Sequence, residues 1–163
     1  MKEKKPDPKV TLFFDGLQRL DTGDRARLKR CAGQSLAEAR NVLGLFFHLL
    51  PPDVPYFQQE TYFLVATLYP LAEEGGQGNL GASLQQARQP NNQKGLDRRV
   101  NILLDSNESQ LAFRLRQVIH FLKSSQVRIA WPLLLEDLLS WTHPSRPVQR
   151  RWAQTYYSEQ PVR

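Results

Sequence analysis

The sequence predicts an all-α protein, built as a two-lobed helical bundle. Apolar residues recur at helical rather than alternating spacing along most of the chain. Ser/Thr, Gly and Pro stand where helices start and stop, and no alternating segment is bounded by hairpin turn chemistry. No internal repeat is visible, and 163 residues are at or just above one ordinary domain, enough for a core divided between two small lobes.

The expected lobes are 10–72 and 96–160, joined by a hinge of loops over 73–95 that carries a short helical segment. Met1 to Lys9 has charges but no apolar run after them, so it predicts a frayed tail rather than a signal peptide or anchor. Thr11 can cap a first helix carrying Phe13, Leu17 and Leu20, which Gly23 breaks before the basic segment Arg25 to Arg30. Ser35 and Glu38 have capping-box spacing, and Ala39, Val42, Leu43, Phe46, Phe47 and Leu50 then hold one face until Pro51-Pro52. Phe57, Leu64, Val65 and Leu68 predict another helix ending at Pro70, although Thr61, Tyr62, Phe63 and Val65 also suit a strand.

Polar Gly/Asn/Pro clusters at 73–79 and 89–95 flank the segment Leu80 to Arg88. Beyond them Leu96, Val100, Leu103 and Leu104 mark one helix, and Leu111, Leu115, Val118, Ile119 and Leu122 a longer one. Pro132 after Trp131 opens a helix whose face is Leu134, Leu135, Leu138 and Trp141. Ser145 and Pro147 start the last one, with Val148, Trp152 and Tyr156 inward.

Twenty-two Lys/Arg against sixteen Asp/Glu leave a net charge of +6, an excess that favours polyanions without specifying a fold. The lone Cys31 excludes an intramolecular disulfide and a cysteine-rich zinc site, which suits a reducing cytoplasm, and it reads as a small buried filler. No apolar run reaches the roughly 18 residues of a membrane span. Enzyme chemistry has no foothold in the pattern. His48, His120 and His143 have no ligand or triad spacing, and Gly75-Gly76-Gln77-Gly78 lacks the lysine and strand of a phosphate loop. The adjacent pairs Glu73-Glu74 and Glu136-Asp137 point to different helix faces. No catalytic residue, metal or cofactor is therefore expected.

The basic residues are more informative. Arg116, His120 and Lys123 recur at i, i+4 and i+7, opposite the apolar face of their helix. Arg25, Arg27, Lys29 and Arg30 surround Leu28 on a short helix, and Arg98-Arg99 opens the later lobe. Such groups meet phosphate without reading the base. The three tryptophans fall on apolar faces and read as core, leaving Tyr156-Tyr157 to supply one exposed ring.

Several short pieces stand in an order that resembles a known family. They are Leu20-Asp21-Thr22-Gly23 with Ala26, Leu28, Lys29 and Arg30; Phe46-Phe47-His48-Leu49-Leu50; Leu80-Gly81-Ala82-Ser83-Leu84; Asp97-Arg98-Arg99 leading to Leu103-Leu104; Leu111 with Leu115-Arg116; and Trp131-Pro132-Leu133-Leu134 through Asp137-Leu138 to Trp141. Together they resemble the CasB small subunit of the type I-E CRISPR Cascade complex. The resemblance implies a two-lobed helical fold without catalytic activity. It also implies partners: a second copy of the chain, the backbone subunits that coat the guide RNA, the large subunit, and the target and non-target DNA strands of the R-loop.

Carried over by position, Lys29, Arg30, Arg98, Arg99 and Arg116 are the phosphate-binding candidates; Arg27, Arg40, Lys123 and Arg128 join them on charge alone. His48 stands where the family usually has arginine, and Ala130 where it has an acidic residue, so His48 is not carried over as a phosphate contact. A free-standing, sequence-independent RNA- or DNA-binding protein and a helical protein-protein adaptor are the alternatives in other functional classes.

Overall fold

In the first helix, Asp7 accepts a hydrogen bond from the Lys9 amide at 2.9 Å and Pro8 fills the first turn, where its missing N–H costs nothing. α1 (Pro8–Gln18) therefore begins before Thr11, which lies inside the helix and is not its cap. The computed structural model describes residue 5 and residues 7–158. Of the expected frayed tail, Pro8 and Lys9 are helical, and Met1 to Lys4 with Pro6 lie outside the described residues.

The corner between the first two helices falls at Arg19 to Asp21, not at Gly23. Asp21 caps α2 (Thr22–Arg30), accepting from the Asp24 amide at 2.8 Å, and Gly23 sits in its first turn. A carboxylate that satisfies an orphan N–H outweighs the weak helix preference of glycine at that end.

The expected helix from Ser35 is the largest departure. The capping-box bonds form, Ser35 N–H to Glu38 Oε1 at 3.1 Å and Glu38 N–H to Ser35 Oγ at 3.2 Å, but only a turn follows. Arg40 Nη1 donates to the carbonyls of Ala37 at 2.8 Å, Glu38 at 3.2 Å and Ala39 at 3.1 Å. Arg27 Nε donates to the Asn41 carbonyl at 3.2 Å, and Asn41 is left-handed at φ 65°. The carbonyls that would have propagated the helix are held by guanidinium groups, and it forms only as α3 (Leu43–Leu49).

A 3₁₀ turn, Tyr56–Gln58, leads into α4 (Gln59–Leu68), and a second, Tyr69–Leu71, leaves it. Every residue from Tyr62 to Leu68 is buried, so the strand-like composition belongs to a helix enclosed on all sides. Phe57 is not on its buried face: it sits in the 3₁₀ turn, 79% exposed.

α5 (Leu80–Ala87) fills the expected short segment. The loop after it is shorter than 89–95, because Asn92 bonds the Ala87 carbonyl and the Gln89 amide and α6 (Gln93–Leu104) starts at once. α7 (Glu108–Ser124) opens with a true capping box, Asn107 with Gln110, and buries Leu111, Leu115, Val118, Ile119 and Leu122. α8 (Trp131–Leu139) and α9 (Pro147–Tyr157) are the last two helices among the described residues. Arg146, left-handed at φ 52°, rather than Ser145, stands at the start of α9.

Among the described residues there is no strand, only an isolated bridge of Glu74 to Ile129 that ties the Gly-rich loop down. At Gly76 an added Cβ would collide with the Arg128 carbonyl. α1 and α4 pack on α8, α2 on α4, and α5 on α9, so one buried cluster extends from Val10 to Tyr156. All three indoles belong to it with their N–H paired: Trp131 to the Ala72 carbonyl, Trp141 to the Ser106 carbonyl and Trp152 to Asp137 Oδ2.

Candidate nucleic-acid interface

α7 is the longest helix, and burial of its apolar stripe fixes which residues face water. Phe113, Arg116, His120 and Lys123, spaced by three and four, are all exposed along that outward face. On one side of it lies the turn after α2: an added Cβ on Gly33 would stand 3.3 Å from Arg116 Cδ and 3.8 Å from the Ala112 carbonyl. Gly33, at φ 81°, thus lets the backbone approach Arg116 closely, three residues after Arg30 and four after Lys29. On the other side Arg99 of α6 lays its guanidinium 5.9 Å from the centroid of Phe121.

Three helices thus contribute exposed cations around α7, collectively a cationic strip: Lys29 and Arg30 at the end of α2, Arg116 and Lys123 on α7, and Arg99 on α6. Lys29 and Arg30 also sit in the last turn of α2, where the helix dipole favours cations. All five side chains are exposed. Lys123 and Arg128 line a common cleft with Glu73 at the far end of α7. The Arg128 to Glu73 pair is loose, 3.8 Å with both side chains about two-thirds in water, and worth little. Arg98 is exposed on α6, next to Arg99.

Arg27 and Arg40 stand apart from the strip. They line a shallow cleft together and spend donors on the 37–41 turn, Arg27 also pairing with Asp24 at 3.1 Å. The reading from sequence passed over Phe113, 61% exposed. Its signal was its spacing of three to Arg116 and seven to His120.

A second surface has the opposite character. A groove of about 670 Å³ between α4, α7 and α8 has an apolar floor that includes Leu64, Leu138 and Trp141, a lip of Glu38, Glu60 and Glu108, and no Lys or Arg in its lining. Backbone and side-chain bonds from Ser35 hold the Glu38 carboxyl below its ordinary value, so it is anionic at neutral pH. Such a groove repels phosphate.

The buried ionisable groups are structural. Asp97 receives Arg88 Nε at 3.0 Å and Arg88 Nη2 at 3.1 Å, and the Tyr156 hydroxyl donates to it as well. The Arg88 bonds, with that of Tyr156, hold its carboxyl below the ordinary carboxylate value against partial burial. Burial raises Asp137 instead, despite hydrogen bonds from Trp152 and Arg151. Tyr62 is pushed up to about 12, chiefly by burial and then by the Asp7 and Glu136 charges. Cys31 is buried, the three histidines are exposed, and no three metal-ligating side chains converge among the described residues.

An all-helical protein carrying one long cationic face, with no helix among its described residues long and apolar enough to cross a membrane, is the class this geometry defines. The family model for CRISPR-associated protein Cse2 matches residues 24–157. The CRISPR-associated protein Cse2 of Thermus thermophilus is 36% identical over 102 residues, 61% of this chain; the match spans 57% of that relative's length. The crystal structure of M. ruber CasB superposes with a TM-score of 0.76 at 30% identity, covering 91% of this chain and 92% of that one. A chain of a CRISPR RNA-guided surveillance complex has the same fold, with a TM-score of 0.77 at 23% identity and coverage of 91% and 92%. The chain belongs to the Cse2 family, the CasB small subunits of type I-E Cascade.

Proposed function

We propose that this chain is the non-catalytic small subunit of a type I-E Cascade surveillance complex, and that its cationic strip holds nucleic-acid backbone and stabilises the R-loop during antiviral defence. The observation that carries this reading is that the turn following Lys29 and Arg30 packs at Gly33 against Arg116 of α7 and that Arg99 of α6 lies over Phe121 of the same helix, while three carboxylates gather on a separate groove. Guide pairing reads the sequence; the strip lowers the tendency of the displaced non-target strand and the target strand to re-anneal. R-loop formation is a near-balanced exchange, so a few phosphate contacts decide whether the loop persists. Arg98, Lys123 and Arg128 extend the strip, whereas Arg27 and Arg40 add charge while holding their own turn.

The partners in this reading are the guide RNA, both DNA strands, the guide-coating backbone subunits, the large subunit and a second copy of the chain, met in the cytoplasm. The two lobes, 10–72 and 96–160, would each face a different neighbour, with the 73–95 loops between them. The test is R-loop yield on supercoiled target DNA with a Cascade lacking this subunit, carrying the native chain, or carrying K29E/R30E/R98E/R99E. Restoration by the native chain and failure of an assembled charge-reversed complex is the expected result. Equal yield from both would make the subunit a spacer or adaptor and overturn the residue assignments.

A further inference from the structure

We propose that Phe113 is a stacking platform for an unpaired nucleobase of single-stranded DNA, set among cations that take the neighbouring phosphates. The inference rests on the nucleic-acid reading of the α7 face and adds to it a preference for unpaired strands.

Phe113 is 61% exposed, on a helix that buries five other apolar side chains. At about 100° per residue it lies roughly 20° from His120 around the helix and within about 80° of Arg116 and Lys123, so ring and charges share one face. The rise from Phe113 to Lys123 is about 15 Å, the reach of a short strand segment. Among the described residues the ring stacks on no other aromatic ring and no guanidinium. Its backbone is anchored in the second turn of a helix whose start is fixed by the Asn107 and Gln110 capping box.

Cations alone do not distinguish a duplex from a single strand. A ring does, because only an unpaired, unstacked base can offer it a π-face. Arg116 and Lys123 on one side, with the phosphates between them, leave the base free to turn inward onto Phe113. A displaced strand would be held and its unpaired state favoured by the same contact.

The test uses the intact chain with Phe113→Ala, Phe113→Leu and Phe113→Trp. The probes are a fluorescein-labelled oligothymidylate and a labelled duplex of equal length, titrated across salt concentrations. The leucine substitution keeps apolar bulk without a ring, and the exposed position leaves folding untouched. The expected result is a roughly five- to hundredfold loss of single-strand affinity in both the Ala and Leu variants. Duplex binding and the salt slope stay as in the native chain, because no phosphate contact is lost. The three native indoles are buried, so emission quenched by the oligonucleotide in F113W reports the new ring. If F113L binds the strand as tightly as the native chain with the salt slope intact, the platform is overturned and the cationic strip stands. Equal weakening toward duplex and single strand, or unmoved F113W emission, overturns the platform too. A native chain that binds neither probe overturns the strip along with it.

Discussion

Asp137 offers a sharp test of what holds the C-terminal helices together. It is 5% exposed, accepts the Trp152 indole N–H at 2.8 Å and Arg151 at 3.2 Å, and so links α8 to α9. In Asp137→Ala the indole N–H stays buried without an acceptor, at about 1–3 kcal/mol. The small void adds about 1 kcal/mol. Arg151 is half in water, so losing its pair adds only a few tenths to about 1 kcal/mol. The total is about 2–5 kcal/mol, which at a urea slope of about 2 kcal/mol/M lowers the unfolding midpoint by about 1–2.5 M.

Asp137→Asn keeps an oxygen facing the indole and removes a buried charge whose carboxyl burial has raised. Native stability falls as pH rises from the ordinary carboxylate value through the raised folded one, since the ionised form is penalised only in the fold. The Asn variant escapes that penalty and stays within about 1 kcal/mol of native at neutral pH. Urea unfolding followed by circular dichroism decides the matter. An Asn variant as weak as the Ala variant would mean that the ion pair carries the effect. An Ala variant within about 0.5 kcal/mol of native would mean that the indole bond holds nothing.

Asp97 has the opposite sign: its depressed carboxyl contributes stability above the ordinary carboxylate value that is lost as pH falls through the folded one. Asp97→Asn should lower stability at neutral pH and flatten the acid limb of the urea midpoint against pH; an unchanged limb refutes the Arg88 and Tyr156 account. At Gly81 a Cβ would collide with the Trp152 carbonyl, and backbone cannot yield as a side chain can. Gly81→Ala should cost about 3 kcal/mol, read as a lower melting temperature. Gly44, in α3 with nothing within 4 Å of an added Cβ, should gain about 0.4–1 kcal/mol on becoming Ala. Equal melting shifts at the two glycines would dismiss the packing argument.

Helices with one clean apolar stripe were legible, as α7 and α8 illustrate, because burial and period coincide there. Helix starts were less so. The Ser35 and Glu38 bonds exist, yet the helix fails because Arg27 and Arg40, one of them fourteen residues from its acceptor, take the carbonyls. A local pattern cannot show a competitor that arrives through tertiary structure. The same reason hid how the exposed cations are grouped. Arg116 was visible as part of a stripe, but its neighbours come from α2 and α6, and only Gly33 and Phe121 reveal that the three helices meet. Arg27 and Arg40 carry the same charge in sequence as Lys29 and Arg30, and only the hydrogen bonds separate an internal fastening from an open cation.

The pairing of α5 with α9 bears on how the chain is made. α5 packs most closely on a helix some seventy residues later, with Asn79 bonded to Thr155 and Gln85 to Ser158. α1 likewise waits for α8, where Glu136 accepts the Asp7 amide. On a ribosome adding about 5–20 residues per second, both early helices emerge seconds before their partners exist. The apolar face of Leu80 and Leu84 is then open until α9 is made, whereas Phe13 already has the Tyr62 ring of α4 to pack against. Synthesis of α9, rather than local helix formation, is the event that closes the face of α5, and a message truncated before that helix should yield a product for proteolysis rather than a smaller folded protein.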